Sequence, residues 1–430
     1  MHFSDRPEYQ HHLETYGPLS EFGYHDFVPM FTAEHFDAGE WADLFVKAGA
    51  KFAGPVAEHH DGFSMWDSDA TPWNAADMGP KRDVTGELEK AIRERDLKFI
   101  TTFHHARNLQ RHDSINPNGQ DNPYWTSHYP FFKGMPPTSA DEKLKYLYGN
   151  IPEDQWLEEV WFAKLKEVID QYHPDIIWFD SWLDMIPEDY RKQFCSYYLN
   201  AAEKWGNEVV IVRKQDDLPL DFTVDDLEKS RKNRLEPDPW MTDETISMGS
   251  WCYTNDLKIK AAADVLHVLI DIVSKNGVLL LNISPKADGT IPEDQRDVLL
   301  ELGKWLKKYG ESVYATRPWY TFGEGPTKEP EGHFKNHTQF QKIKYSWKDV
   351  RYTTKGKTIY ATILGWPETE QFVFESFAKE NLPDPTLKVK DVSLLGCTST
   401  VAWEQTDSGL SVTLPEKAPD DMAVVLRIRY

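Results

Sequence analysis

The chain has little sulfur, no long apolar run and too few positive charges to balance its acids. Three cysteines, Cys195, Cys252 and Cys397, are scattered over 430 residues. Their number is odd and no CxxC spacing occurs, so neither a disulfide framework nor a cysteine-based zinc site is indicated. No stretch of about 18 uninterrupted apolar residues exists, which excludes a transmembrane helix. The net charge of −22 repels phosphate backbones and anionic headgroups, so no nucleic acid and no membrane partner is expected. The opening Met1-His2-Phe3-Ser4-Asp5-Arg6 lacks an apolar core of the kind a signal peptide needs. What the chain does have is aromatic bulk: 16 Trp, 19 Tyr and 22 Phe. A large core is therefore within reach, and the length favours two domains.

From Phe52 to Tyr309, strand-like and helix-like runs alternate. The periodicity predicts helices over Gly39–Ala48, Val84–Arg95, Asp154–Tyr172, Pro187–Trp205, Ala261–Lys275 and Pro292–Tyr309. It predicts strands over Lys51–Ala57, Leu97–Phe103, Asp175–Phe179, Glu208–Val212, Trp240–Thr245 and Gly277–Leu281. Such alternation means βαβ crossovers and a parallel sheet. The number of repeats favours a (β/α)8-like TIM barrel over an open sheet. Only six convincing barrel strands are found and none precedes Phe27, whereas a closed barrel of eight wants another near the start. Beyond Thr316 the pattern changes to short alternating runs separated by turns: Thr358–Leu364, Gln371–Glu375, Leu387–Leu395, Thr400–Glu404, Leu410–Leu414 and Met422–Tyr430. The expectation is a catalytic barrel over 1–316 and a C-terminal antiparallel β-sandwich over 317–430.

The apolar run Ile176-Ile177-Trp178-Phe179 ends abruptly on Asp180. In parallel α/β folds the chemistry sits at such strand ends. Other strands end alike: one on Glu58-His59-His60-Asp61-Gly62-Phe63, one on His104-His105, one on Arg213. If these strands are parallel neighbours, their polar ends share one mouth. The histidines could in principle hold a metal, but consecutive strand residues face opposite sides and no H-E-x-x-H spacing occurs. A metal-dependent hydrolase is therefore a weak rival, and no metal or cofactor is expected. Hydrolysis of a sugar needs two carboxyl groups flanking the glycosidic bond. Asp180 suits the nucleophile, with Arg213 near enough to keep it charged. Histidines suit sugar hydroxyls, and Trp66, Trp73, Trp182 and Trp240 can offer platforms for sugar faces, although any one Trp is more often core.

In these motifs the chain resembles the α-L-fucosidases of glycoside hydrolase family 29. The resemblance rests on His59-His60-Asp61-Gly62-Phe63 with Trp66 and Ser68, Gly79-Pro80-Lys81-Arg82-Asp83, and Trp178-Phe179-Asp180. It continues through Ser250-Trp251-Cys252-Tyr253, Asn276-Gly277 to Asn282, Tyr314 to Trp319, and Gly323-Glu324-Gly325-Pro326. The family implies an exo-acting retaining mechanism on terminal α-L-fucosyl residues of glycans, through a covalent fucosyl-enzyme on Asp180. It implies that His59, His60 and His104 contact fucose hydroxyls and that Arg213 lies beside the nucleophile. Many members carry a Glu after the Pro-Trp that is here Pro239-Trp240, but this chain has Met241. Others place the acid/base in the loop after the Arg-ending strand, where Glu228 stands, with Glu244 and Asp226 as runners-up. The family's opening His-Trp-Gly and Glu-Trp-Tyr segments are absent, so the expectation is a chain that begins after the first barrel strand. A fucosidase implies a fucosylated oligosaccharide or glycan as partner and an extracellular or periplasmic parent. It leaves the oligomeric state open. The alternative is a catalytically impaired fucose-binding barrel.

Overall fold

A computed structural model describes residues 7–18, 21–108, 144–149, 151–332, 337–398 and 400–430. The opening hexapeptide of the sequence lies outside them. The chain divides into two compact units, Met1–Val46 with Ala50–Val224 and Lys286–Thr290, and Lys47–Gly49 with Asp225–Pro285 and Ile291–Tyr430.

In the first unit, helix α1 (Pro7–Tyr16) and helix α2 (Ala38–Ala48) precede the first described strand. Lys51–Ala57 is not one strand. It breaks into β1 (Phe52–Ala53) and β2 (Val56–Glu58). Gly54-Pro55 causes the break: a β-carbon on Gly54 would stand 1.7 Å from the Ile100 carbonyl oxygen, and Pro55 has no N–H for the ladder. Next come α3 (Val84–Arg93), β3 (Lys98–Phe103), α4 (Ala163–Tyr172), β4 (Ile176–Phe179), α5 (Glu188–Trp205) and β5 (Val210–Arg213). Asp83 caps α3 by accepting from the Gly86 N–H, which satisfies one of the orphan donors at a helix start. A π-helical turn, Leu157–Phe162, leads into α4. β1 and β2 both pair with β3, β3 with β4, and β4 with β5, all in parallel. The core beneath is aromatic, with Trp66, Trp156, Trp161, Phe99 and Phe103 fully buried.

In the second unit β6 (Val224–Asp226), β7 (Trp240–Thr245) and β8 (Gly277–Asn282) continue the parallel pattern, with Asp225 opposite Trp240 and Trp240 opposite Gly277. Helices α6 (Ala262–Ser274) and α7 (Glu293–Tyr309) flank β8 in sequence. The sequence does not predict β6, because Val-Asp-Asp is short and rich in a residue depleted from strands. Strands of this order and direction define a TIM-like barrel class of fold.

Two antiparallel sheets follow. One runs β13 (Asp391–Leu394), β16 (Val424–Arg429), β11 (Thr358–Ile363), β10 (Val350–Lys355) and β9 (Arg317–Glu324); the other runs β12 (Gln371–Phe374), β15 (Gly409–Thr413) and β14 (Ala402–Thr406). Tyr352, Phe374, Phe377, Val412 and Leu426 fill the core of this β-sandwich. β9 was hidden in the sequence by Pro318 and Gly323. It lies at a sheet edge, where proline is tolerated.

Candidate active site

Register, rather than proximity in sequence, assembles the site of the first unit. Glu58 pairs with Phe103, Phe103 with Phe179, and Trp178 with Val212. One step beyond the first two pairs, and two beyond the third, the row reads His59, His104, Asp180 and Lys214. The ladder continues to that level, since the His104 N–H donates to the Glu58 carbonyl at 2.9 Å and the Asp180 N–H to the Phe103 carbonyl at 3.0 Å. Side chains alternate along strands, so residues of one row face one side.

The side chains meet there. The ring of His59 lies 4.4 Å from that of His104 and 4.5 Å from that of His60. His60 is 3% exposed, its Nδ1 2.8 Å from the His104 carbonyl and its Nε2 3.2 Å from Asp180 Oδ2. Both neighbours accept hydrogen bonds, so only a doubly protonated ring donates to both. On the other side Lys214 Nζ lies 3.3 Å from Asp180 Oδ1, and 4.7 Å from the centre of the Trp178 ring. Burial alone would raise the Asp180 pKa. The charge of Lys214, that of His104 and the hydrogen bond from His60 prevail and hold it well below the usual carboxylate range. Asp180 is thus an ionised carboxylate at a strand end, still 14% exposed at its side chain.

Arg213, expected beside Asp180, is directed elsewhere. It donates to the Leu218 carbonyl and pairs with Asp216 at 3.3 Å. The cation on Asp180 is its neighbour Lys214, and the register explains why: Phe179 is level with Arg213, and Asp180 with Lys214. The available signal was two consecutive cations at a strand end, of which only one can share the face of Asp180.

Trp66 and Trp240 are corrected as well. Trp66 is 0% exposed and donates from Nε1 to Glu167 Oε2 at 3.0 Å; Trp240 is 2% exposed and donates to the Lys275 carbonyl at 2.9 Å. A ring without exposed surface cannot receive a sugar face, so both are core. Trp182, by contrast, is 42% exposed.

Beneath the histidines, Glu58 and Lys164 form an ion pair buried completely, with Nζ–O distances of 2.9 and 2.8 Å. Ser64 donates to Glu58 and Lys164 to the Gly62 carbonyl. This pair ties the loop of His59 and His60 to α4. Asp61 accepts from Tyr24 Oη and from the Phe63 N–H, yet burial lifts its pKa to about 6. His105 turns away from the row: it lies 3.1 Å from the Trp161 carbonyl, and burial lowers its pKa to about 4.

In the second unit, Glu228 follows β6. The Leu227 N–H donates to the Met241 carbonyl and the Lys229 N–H to the Asp243 carbonyl, so the backbone on either side of Glu228 is fixed on β7. Lys229 has a left-handed φ of 45° and anchors its Nζ on the Gly249 carbonyl, 4.0 Å over the Trp251 ring. Glu228 is partly exposed. Asp226 is 1% exposed, and Glu244, 6% exposed, is 2.8 Å from Lys260 Nζ.

A parallel-strand barrel with an ionised, cation-braced carboxylate and a histidine cluster at its strand ends defines a glycoside hydrolase-like class of protein. The comparisons narrow it. The alpha-L-fucosidase family model matches residues 1–311, and the alpha-L-fucosidase C-terminal domain model matches 344–429. The chain is 30% identical over 425 residues to human tissue alpha-L-fucosidase, which covers 96% of this chain and 78% of that protein. It is similar in fold to Thermotoga maritima alpha-fucosidase in complex with fucose, with a TM-score of 0.71, 27% identity and coverage of 99% and 86%. The same enzyme with a mechanism-based inhibitor gives a TM-score of 0.73. The chain belongs to the α-L-fucosidase family.

Proposed function

We propose that the chain is an exo-acting, retaining α-L-fucosidase, releasing terminal α-L-fucosyl residues from glycans in two steps. Asp180 attacks the anomeric carbon as the glycosidic bond breaks, forming a fucosyl ester. Glu228 donates a proton to the departing oxygen and then takes one from the water that hydrolyses the ester. His59, His60 and His104 bind hydroxyls of the sugar, and Lys214 keeps the nucleophile ionised. The carrying observation is Asp180 itself, fixed on the strand end and charged between Lys214 and His60. Support for Glu228 is narrower: it is partly exposed on a pinned backbone, whereas Glu244 is committed to Lys260.

The test is Asp180→Ala assayed on an aryl α-L-fucoside. Turnover is expected to vanish, with partial recovery when azide is supplied as an external nucleophile. Undiminished turnover would remove Asp180 from the mechanism. Fucose binding by the wild-type chain without any product release would favour a binding barrel instead.

A further inference from the structure

We propose that Trp182, backed by Arg107, is the platform that receives the sugar on the leaving-group side of the bond. The chain is then built for fucose attached to another pyranose rather than to a small or aliphatic group. This rests on the fucosidase reading and extends it to the second half of the substrate.

Four observations meet at this residue. Trp182 stands two positions beyond Asp180, in the loop that follows β4. Its backbone is left-handed, at φ 80° and ψ 16°, a conformation that is strained for a bulky residue and persists only when its surroundings impose it. The surroundings do: its N–H donates to Gln215 Oε1 at 3.2 Å, and its carbonyl accepts from the Met185 N–H at 3.0 Å. Trp182 is 42% exposed, whereas Trp66, Trp156, Trp161 and Trp240 are buried.

The fourth observation is the partner. The Arg107 guanidinium carbon lies 4.7 Å from the centre of the Trp182 ring. Arg107 comes from the loop after β3, three positions beyond His104, and Trp182 lies two positions beyond Asp180. The same two loops thus supply an inner pair, His104 and Asp180, and then an outer pair, Arg107 and Trp182. A cation on one face of the indole stiffens it and leaves the other face for a ligand. The C–H face of a pyranose packs on such an indole, and a guanidinium has donors for ring hydroxyls. A strained, braced and exposed indole is poorly explained by packing, because it buries so little.

Kinetics with two leaving groups separate this role from others. α-L-Fucosyl fluoride has no second ring to stack, whereas a fucosylated disaccharide has one. Trp182→Ala and Trp182→Gly are compared with wild type, glycine being free of strain at positive φ. We expect kcat/KM for the disaccharide to fall about tenfold or more in both, with fluoride turnover within about twofold of wild type. Trp182→Phe should fall between, and Arg107→Ala should show a smaller loss confined to the disaccharide. Unchanged fluoride turnover also demonstrates that the variants are folded. Equal losses on both substrates would overturn the proposal and make Trp182 a brace for the nucleophile loop. No loss on either would overturn it outright. Wild-type protein inert on both would instead refute the fucosidase reading itself.

Discussion

Asp180 and Asp271 are both aspartates braced by cations, but one keeps part of its side chain open and the other is sealed. Asp271, in α6 of the second unit, is 0% exposed. It lies 2.7 Å from Lys275 Nζ, 2.6 Å from Arg351 Nε and 3.3 Å from Arg231 Nε. Glu329 joins the same cluster through Lys275, Arg231 and Tyr345. Burial opposes the charge on Asp271, but the three cations outweigh it and push its pKa down. Every oxygen is committed, so nothing is left to attack a substrate. Asp180 has one lysine and one histidine and keeps part of its side chain open. Low pKa is common to both. Incomplete saturation is what suits Asp180 to the nucleophile role proposed for it.

Substituting each aspartate should separate the two roles most sharply. Asp271→Ala leaves Lys275, Arg231 and Arg351 facing each other with only Glu329 between them, and we expect a loss of about 3–5 kcal/mol in stability. Chemical denaturation measures it. Asp180→Ala should leave the midpoint far closer to wild type while turnover disappears. Equal destabilisation by both would erase the distinction between a structural and a reactive carboxylate.

Glu228→Ala tests the second carboxylate. Acid assistance matters most for a poor leaving group, so an unactivated fucoside should slow about 100-fold or more while fucosyl fluoride is little affected in bond cleavage. Equal slowing of both would point to another acid. Lys214→Met sharpens the comparison more finely. With its cation gone, burial raises the pKa of Asp180 toward or above the ordinary carboxylate range. The carboxylate then protonates at higher pH, so the acid limb of kcat/KM should move upward, with a loss of about tenfold at neutral pH. An unmoved acid limb would show that Lys214 does not set the charge of Asp180.

The barrel and sandwich were legible because their signals are periodic. β7 carries the same bounds in sequence and structure, and five of the six predicted barrel strands keep their places within a few residues. Asp180 was legible because an apolar strand stops on it. Lys214 was not, because choosing between Arg213 and Lys214 needs the register of β4 on β5, which no single strand encodes. Trp66 and Trp240 misled for a related reason. Indoles suit sugars and cores equally, and only burial distinguishes them, so Trp182 could be separated from them only in three dimensions.

The smallest expected effect concerns two groups of the first unit that titrate in opposite senses. His105 has its pKa lowered from 6.5 to about 4 by burial, so between those values the unfolded chain binds the extra proton. Its contribution is complete above pH 6.5 and is lost as pH falls toward about 4. Asp61 has its pKa raised from 3.8 to about 6, again by burial, so there the folded chain binds the proton. Its contribution is complete below pH 3.8 and is lost as pH rises toward about 6. In wild type the two slopes oppose one another across nearly the same window. His105→Gln removes one of them. The stability difference between wild type and this variant should therefore grow as pH rises from about 4 to 6.5 and then level off. Denaturant titrations at several pH values give that difference directly, and a difference independent of pH would mean that folding does not shift the His105 pKa.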